Sequence, residues 1–196
     1  AVRMGHRVIN SATGAVTTTL EQTSIHFDMK ARKSVALPAE RRDSIMEFQV
    51  PWDATAPEDR PRPATDEKLF DSVRDTAKPQ EIDVLGHISF QYYVHRFSMA
   101  AMQAMAAFGM TPDYMRDQRH SMSTFEIDLR FLRELHAGDL VGVRSGLVHL
   151  GKSSFRLFHR MTNLQTGEVS AEMSQFGAHL DMDARRAAPL PDDIRK

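Results

Sequence analysis

From Phe90 to about Phe108 the chain carries apolar residues on almost every side of a helix, and a helix of that kind must be covered around most of its circumference. Phe90, Tyr93, Val94, Phe97, Ala101, Ala104, Met105 and Phe108 keep three-and-four spacing, while Met99, Met102, Ala106 and Ala107 make the other face apolar too. Gly109 is a fitting stop. The methionines are therefore expected in the core rather than in a metal or cofactor site. The cover is expected from strands. Lys68 to Lys78 reads as extended and is ended by Lys78-Pro79. Thr124 to Phe131 alternates with a period of two, which directs Phe125, Ile127, Leu129 and Phe131 to the core and Glu126, Asp128 and Arg130 away. A turn at Gly138-Asp139 leads to three more strands, Leu140–Leu150, Ser153–Asn163 and Glu168–Met182, which continue it as a meander. The expected class is α+β, a curled antiparallel sheet wrapped around a central helix.

The same chain repeats itself. His6-Arg7-Val8-Ile9-Asn10-Ser11-Ala12-Thr13-Gly14 is mirrored without a gap by His159-Arg160-Met161-Thr162-Asn163-Leu164-Gln165-Thr166-Gly167. At the same offset His26 meets His179, Asp28-Met29 meets Asp181-Met182, Ala31-Arg32 meets Ala184-Arg185, and Leu37-Pro38 meets Leu190-Pro191. An internal duplication follows, with an incomplete first copy: a hairpin of Arg3–Asn10 and Ala15–Asp28, and no counterpart of the helix. Residues 1–50 are expected to be the hairpin and tail of that copy, and 67–196 a complete domain. Between them, 51–66 carries Pro51, Pro57, Pro61 and Pro63 among alternating charges and reads as a linker, with Trp52 covering an apolar patch. The missing upstream half is expected to be cleaved, omitted, or supplied by another chain. His6, His26, His159 and His179 are expected to be packing residues of strands.

Charge narrows the partners. A formal net charge of -1 gives no field for nucleic acid or a membrane surface, so a modest-sized ligand is expected. With no cysteine there is no disulfide, thiolate metal site or cysteine nucleophile. Asp83, His87 and His95 do not have the spacing of a metal site, and neither a metal nor a cofactor is expected. No apolar run reads as a membrane span or signal peptide, and a soluble, cytoplasmic protein is the expectation.

The candidate chemistry lies just ahead of the helix, in Asp83-Val84-Leu85-Gly86-His87-Ile88-Ser89-Phe90. A carboxylate precedes a glycine turn, and the turn precedes the expected helix start. Amides at a helix start have no intrahelical partner and carry the positive end of the dipole, so they polarise a carbonyl placed there. Asp83 is near enough in sequence to draw a proton from water or to attack that carbonyl. Its plainer use would be to cap the helix.

Residues 78–97, from Lys78-Pro79 through Asp83-Val84-Leu85-Gly86-His87 to Tyr92-Tyr93 and Phe97, resemble the opening of the 4-hydroxybenzoyl-CoA thioesterase-like hotdog proteins. Phe131-Leu132-Arg133-Glu134-Leu135, Gly138-Asp139, Leu157-Phe158-His159 and Thr166-Gly167 resemble the branch that holds betainyl-CoA and double-hotdog acyl-CoA thioesterases. The resemblance implies a hotdog fold, with part of a second hotdog repeat at the N-terminus, and hydrolysis of a small acyl-CoA. Coenzyme A enters there as part of the substrate. It makes Asp83 the catalytic acid and assigns the oxyanion-binding amides to Gly86 and His87. Two positions depart from the family: Ser89 stands where asparagine is frequent, and Ser98-Met99 where some members have a helix glutamate. Phe90, Tyr92, Tyr93 and Phe97 are the candidates for the acyl end, Ser89 is a further substrate-binding candidate, and Arg130, Arg133 and Lys152 are the candidates for the phosphates. A homodimer or higher homo-oligomer is implied as well. The alternative is a noncatalytic acyl-CoA-binding or assembly subunit; a hydratase fits less well.

Overall fold

The computed structural model describes residues 1–51, 60–192 and 194, and divides into two compact units, residues 1–58 and 59–196. Trp52 and linker residues 52–59 lie outside the described residues. The first unit holds β1 (Val2–Ile9), β2 (Val16–Ser24), the short strands β3 (Phe27–Asp28) and β4 (Lys33–Ser34), and α1 (Ala39–Met46). The second holds β5 (Phe70–Thr76), α2 (Phe90–Ala107), α3 (Pro112–Gln118), β6 (His120–Phe131), β7 (Leu140–Leu150), β8 (Ser154–Asn163), β9 (Val169–Asp181) and β10 (Arg186–Ala187).

In the second unit five antiparallel strands lie in the order β5-β7-β8-β9-β6, and β10 adds two residues beside the end of β9. This is the hotdog arrangement. It corrects the expected meander, because β6 pairs with β9 and the Gly138-Asp139 segment crosses the sheet instead of joining neighbours. Helix α2 packs on β5, β7 and β8. Its buried residues, Tyr93, Arg96, Phe97, Ala100, Ala101, Ala104 and Met105, form one face. Gly109 takes φ 92° and stops it.

Two burial expectations are overturned by this placement. Met99 and Met102 are exposed, since the sheet curls around one side of α2 only. Phe125, Ile127 and Phe131 do alternate with Glu126 and Asp128, but β6 is an edge strand, so of the four residues assigned to the core only Leu129 joins it. The opposite face of the sheet is ionic. Arg156 and Arg60 reach Glu126 at 2.9 and 2.8 Å, and Arg160 and Arg62 reach Glu172 at 2.7 and 2.8 Å.

A polar stripe crosses the inner face. Ser72 (β5) meets Ser145 (β7) at 2.7 Å, Ser145 meets His159 Nδ1 (β8) at 2.7 Å, and Gln175 (β9) faces the same ring and donates to Thr124 Oγ1 (β6) at 2.7 Å. Each of the five strands contributes one residue. On one side lies the cluster of Val73, Val141, Val143, Met161 and Met173, on the other that of Phe155, Leu157, Met105 and Leu190. His159 is fully buried, and burial lowers its pKa to about 4.

Hairpin β1–β2 has the geometry of β8–β9 at the sequence offset that takes His6 to His159. Val2 pairs with Ser24 as Phe155 pairs with Gly177, and His6 with Leu20 as His159 with Met173. The bulge between Val8 and Ile9 recurs between Met161 and Thr162. Asn10 Oδ1 accepts the Ala12 and Thr13 amides at 2.9 and 3.3 Å; Asn163 Oδ1 accepts those of Gln165 and Thr166 at 2.9 and 3.3 Å. Gly14 and Gly167 have φ 71° and 75°. The likeness continues in Asp28 and Asp181, each closing the next turn with its Oδ1, and in Arg32 and Arg185 at φ 52° and 51°.

Candidate active site

The segment from Ile82 to Ile88 leaves the end of β5 and closes on itself before α2 begins. Ile82 and Ile88 form an antiparallel bridge, in which the Ser89 amide donates to Glu81 O and the Asp83 amide to His87 O, both at 2.9 Å. Inside the loop the Gly86 amide donates to Asp83 O at 3.1 Å, and Gly86 itself then takes a φ of 85°, the left-handed region that glycine enters without penalty. No atom lies within 4 Å of a Cβ built on Gly86, so conformation rather than space calls for glycine there.

The helix starts at Phe90, as its apolar spacing predicts. Ser89 is the N-cap and Phe90 the first helical residue, so Gly86 and His87 belong to the loop and not to the helix start. Asp83 does not cap the helix; its Oδ1 accepts the Leu85 amide at 2.8 Å. Its Oδ2 lies 3.6 Å from His87 Nδ1. The Gly86 amide is taken up by the turn, whereas the His87 amide makes no hydrogen bond to another described residue. Val84, Leu85 and Gly86 are exposed, so the loop presents itself to solvent.

What holds the loop was not read from the sequence. Arg96, in the second turn of α2, is buried among apolar neighbours, and its Nη2 reaches Glu81 at 2.7 Å, Asp75 at 2.9 Å and Thr76 O at 2.9 Å. Glu81 is itself buried and stands at the neck of the loop. Breaking a buried pair of this kind costs about 3–5 kcal/mol, because it leaves an uncompensated charge. The signal was present: a cation three residues after Tyr93 on the apolar face needs a buried counter-ion. Glu134 was missed too, although its segment was read as a fold marker. Its Oε1 lies 3.8 Å from His87 Nε2.

The other candidates separate into two groups. Ser89, Phe90, Tyr92 and Tyr93 follow the loop directly; Phe90 is exposed, and Tyr92 meets His95 edge-on at 5.6 Å. Tyr93 is buried, donates to Arg133 O at 3.5 Å, and is pushed up by burial to about 12, so it stays a phenol. Arg133 stands near this group, with its Nε 3.5 Å from Glu168. Arg130 does not join it: it pairs with Asp128 at 3.6 Å on the ionic face. Lys152 lies at the β7–β8 turn, at the opposite end of the sheet from Asp83. Among the repeated histidines, His159 packs against Phe97, and His179 bonds to Tyr114 Oη at 2.9 Å and Ala188 O at 3.1 Å. No grouping of three or more His, Asp or Glu able to hold a metal occurs among the described residues, and no helix among them is long and apolar enough to cross a membrane.

Among proteins of known activity, a betainyl-CoA thioesterase from Pseudomonas aeruginosa is 28% identical over 116 residues, covering 59% of this chain and 73% of that protein. An L-carnitine dehydrogenase/betainyl-CoA thioesterase from Agrobacterium fabrum is 29% identical over 115 residues, 59% of this chain and 23% of the longer protein. Among solved structures, a Staphylococcus aureus protein in complex with CoA matches with a TM-score of 0.62 at 19% identity, over 68% of this chain and 84% of that one. A 1,4-dihydroxy-2-naphthoyl-CoA thioesterase from Synechocystis matches with a TM-score of 0.58 at 13% identity, over 65% and 93%. These two share the fold. A family model covers residues 77–196, from the end of β5 onward, and by it the chain belongs to the thioesterase-like superfamily.

Proposed function

We propose that this chain is an acyl-CoA thioesterase acting on a small acyl group, with Asp83 as its acid–base or nucleophilic group. The observation that carries the reading is the loop itself: one Asp83 oxygen is fixed by the Leu85 amide, the other faces His87, and the His87 amide is available to an incoming carbonyl oxygen. In one route Asp83 takes a proton from water as the water oxygen attacks the thioester carbon. The negative charge gathers on the carbonyl oxygen beside the His87 amide. Collapse then expels the CoA sulfur, which recovers the proton from Asp83. In the other route Asp83 attacks the carbon, CoA leaves, and water opens the resulting anhydride.

The substrate panel should begin with betainyl-CoA, the acyl-CoA in the names of two relatives, because Phe90 and Tyr92 offer aromatic faces to a quaternary ammonium. Of Arg130, Arg133 and Lys152, Arg133 is the one beside Tyr93, and it is the cation assigned to the phosphates. A second copy of the chain is the expected neighbour of the site: Phe125, Ile127 and Phe131 on the β6 edge and Met99 and Met102 on α2 are exposed apolar residues. Residues 1–50 are read as the back part of a second hotdog repeat.

The test is thiol release from short, branched, aromatic and betainyl acyl-CoAs by the chain and its Asp83→Asn variant. A loss of about a hundredfold or more in the variant supports the reading. A folded chain that turns over none of them defeats it in favour of a noncatalytic acyl-CoA-binding or assembly subunit. Label in Asp83 after a single turnover in ¹⁸O-water identifies an anhydride opened at its aspartyl carbonyl, and trapping the acyl-enzyme with hydroxylamine identifies one opened at the substrate carbonyl.

A further inference from the structure

We infer that Glu134 is a positioning residue of this site, acting on Asp83 through His87. The inference rests on the thioesterase reading above. His87 stands between two carboxylates supplied by different parts of the chain, with Nδ1 3.6 Å from Asp83 Oδ2 and Nε2 3.8 Å from Glu134 Oε1. All three side chains are partly buried, with 29%, 21% and 31% of Asp83, His87 and Glu134 exposed. An imidazole held at Nδ1 alone turns over about its Cβ–Cγ bond at little cost. Nδ1 also lies 3.4 Å from Ile88 O, and the Glu134 carboxylate beyond Nε2 adds an electrostatic hold on the far side of the ring that fixes which nitrogen faces Asp83, and so where the free Asp83 oxygen points.

The backbone around Glu134 is built for this. The Ile88 amide donates to Leu135 O at 2.8 Å, which ties the segment to the loop one residue after His87. Leu135 is fully buried, and Tyr93 Oη reaches Arg133 O on the other side of Glu134 at 3.5 Å. The Leu132 and Arg133 amides both donate to Ser170 O, and the His136 amide to Asp139 Oδ2 at 2.8 Å. Glu134 therefore stands on a segment fixed on both sides, facing the loop. His136 approaches its other oxygen at 4.0 Å. This carboxylate comes from the β6–β7 connection and not from α2.

The experiment is a double-mutant cycle on thiol release with Glu134→Gln, Glu134→Asp, His87→Ala and the His87→Ala/Glu134→Gln pair. Glu134→Gln is expected to lower kcat about tenfold with KM changed by about twofold or less, and Glu134→Asp to restore part of the loss. In the His87→Ala background Glu134→Gln is expected to have no further effect beyond about twofold. A wild-type kcat in Glu134→Gln, or an undiminished loss in the His87→Ala background, overturns the inference and leaves the thioesterase reading intact. If the parent chain turns over no thioester, that reading fails, and the ring ¹⁵N shifts of His87 still decide: a change in tautomer between parent and Glu134→Gln supports the contact, and identical shifts overturn it.

Discussion

Hairpins β1–β2 and β8–β9 are the same object in two settings. They share register, bulge, turn and the side-chain oxygens that close the turn, yet Met4, Val8 and Leu20 are exposed where Leu157, Met161 and Met173 are buried. The difference lies in what surrounds them. β8–β9 is flanked by β7 and β6 and roofed by α2, and β1–β2 has no such neighbours among the described residues of its own unit. Hairpin geometry is thus written locally, by Asn, Thr and Gly at fixed places, whereas burial is conferred from far along the chain.

The strongest way to break this comparison is to remove equivalent apolar side chains. Met173→Ala should cost about 2–5 kcal/mol, and Leu20→Ala at the matching position about 0.5 kcal/mol or less, by denaturant unfolding. Equal costs would mean that β1–β2 is covered in solution. Second in size is the acid response of His159. Its folded pKa of about 4 lies below the ordinary 6.5, so the unfolded chain binds the proton more readily. Stability is full above pH 6.5 and is lost as the pH falls through 4, by on the order of 3 kcal/mol. His159→Gln should flatten that part of the stability curve, and an unchanged slope would refute the assignment; His6→Gln, at an exposed ring, should leave stability within about 0.5 kcal/mol.

Smaller effects should be equal in the two hairpins. Gly14→Ala and Gly167→Ala meet no atom within 4 Å, so each carries only the left-handed backbone penalty of about 1–2 kcal/mol. Asn10→Ala and Asn163→Ala each remove an acceptor from two amides, at about 0.5–1.5 kcal/mol, read as faster amide exchange in that turn. A penalty in one hairpin alone would show that the turn is not autonomous.

The residues that could be read correctly were those whose signal is local. Strand alternation, the Gly109 stop, the turn at Thr166-Gly167 and the glycine turn after Asp83 all follow from neighbours in sequence. Phe125, Ile127 and Phe131 were assigned to the core because alternation gives a strand its faces but not its place in the sheet. Met99 and Met102 failed for a related reason: apolarity around a helix does not say how far the sheet curls. Glu81, Arg96 and Glu134 work through partners 15 to 47 positions away, a relation no periodicity carries. Gly86 and His87 stand apart from the helix start because the Ile82–Ile88 bridge comes between His87 and the helix.

Consider, finally, the polar stripe from Ser72 to Thr124. Apolar alternation is blind to one error: a strand that slips by two residues keeps every side chain on its proper face. Such a slip here would pull one member out of the row and leave its neighbours buried without acceptors, at about 1–3 kcal/mol apiece. The stripe therefore acts as a checksum on strand alignment. His6 and Gln22 stand in the first unit at the positions of His159 and Gln175, so the shorter hairpin carries the same two polar side chains at the same register positions.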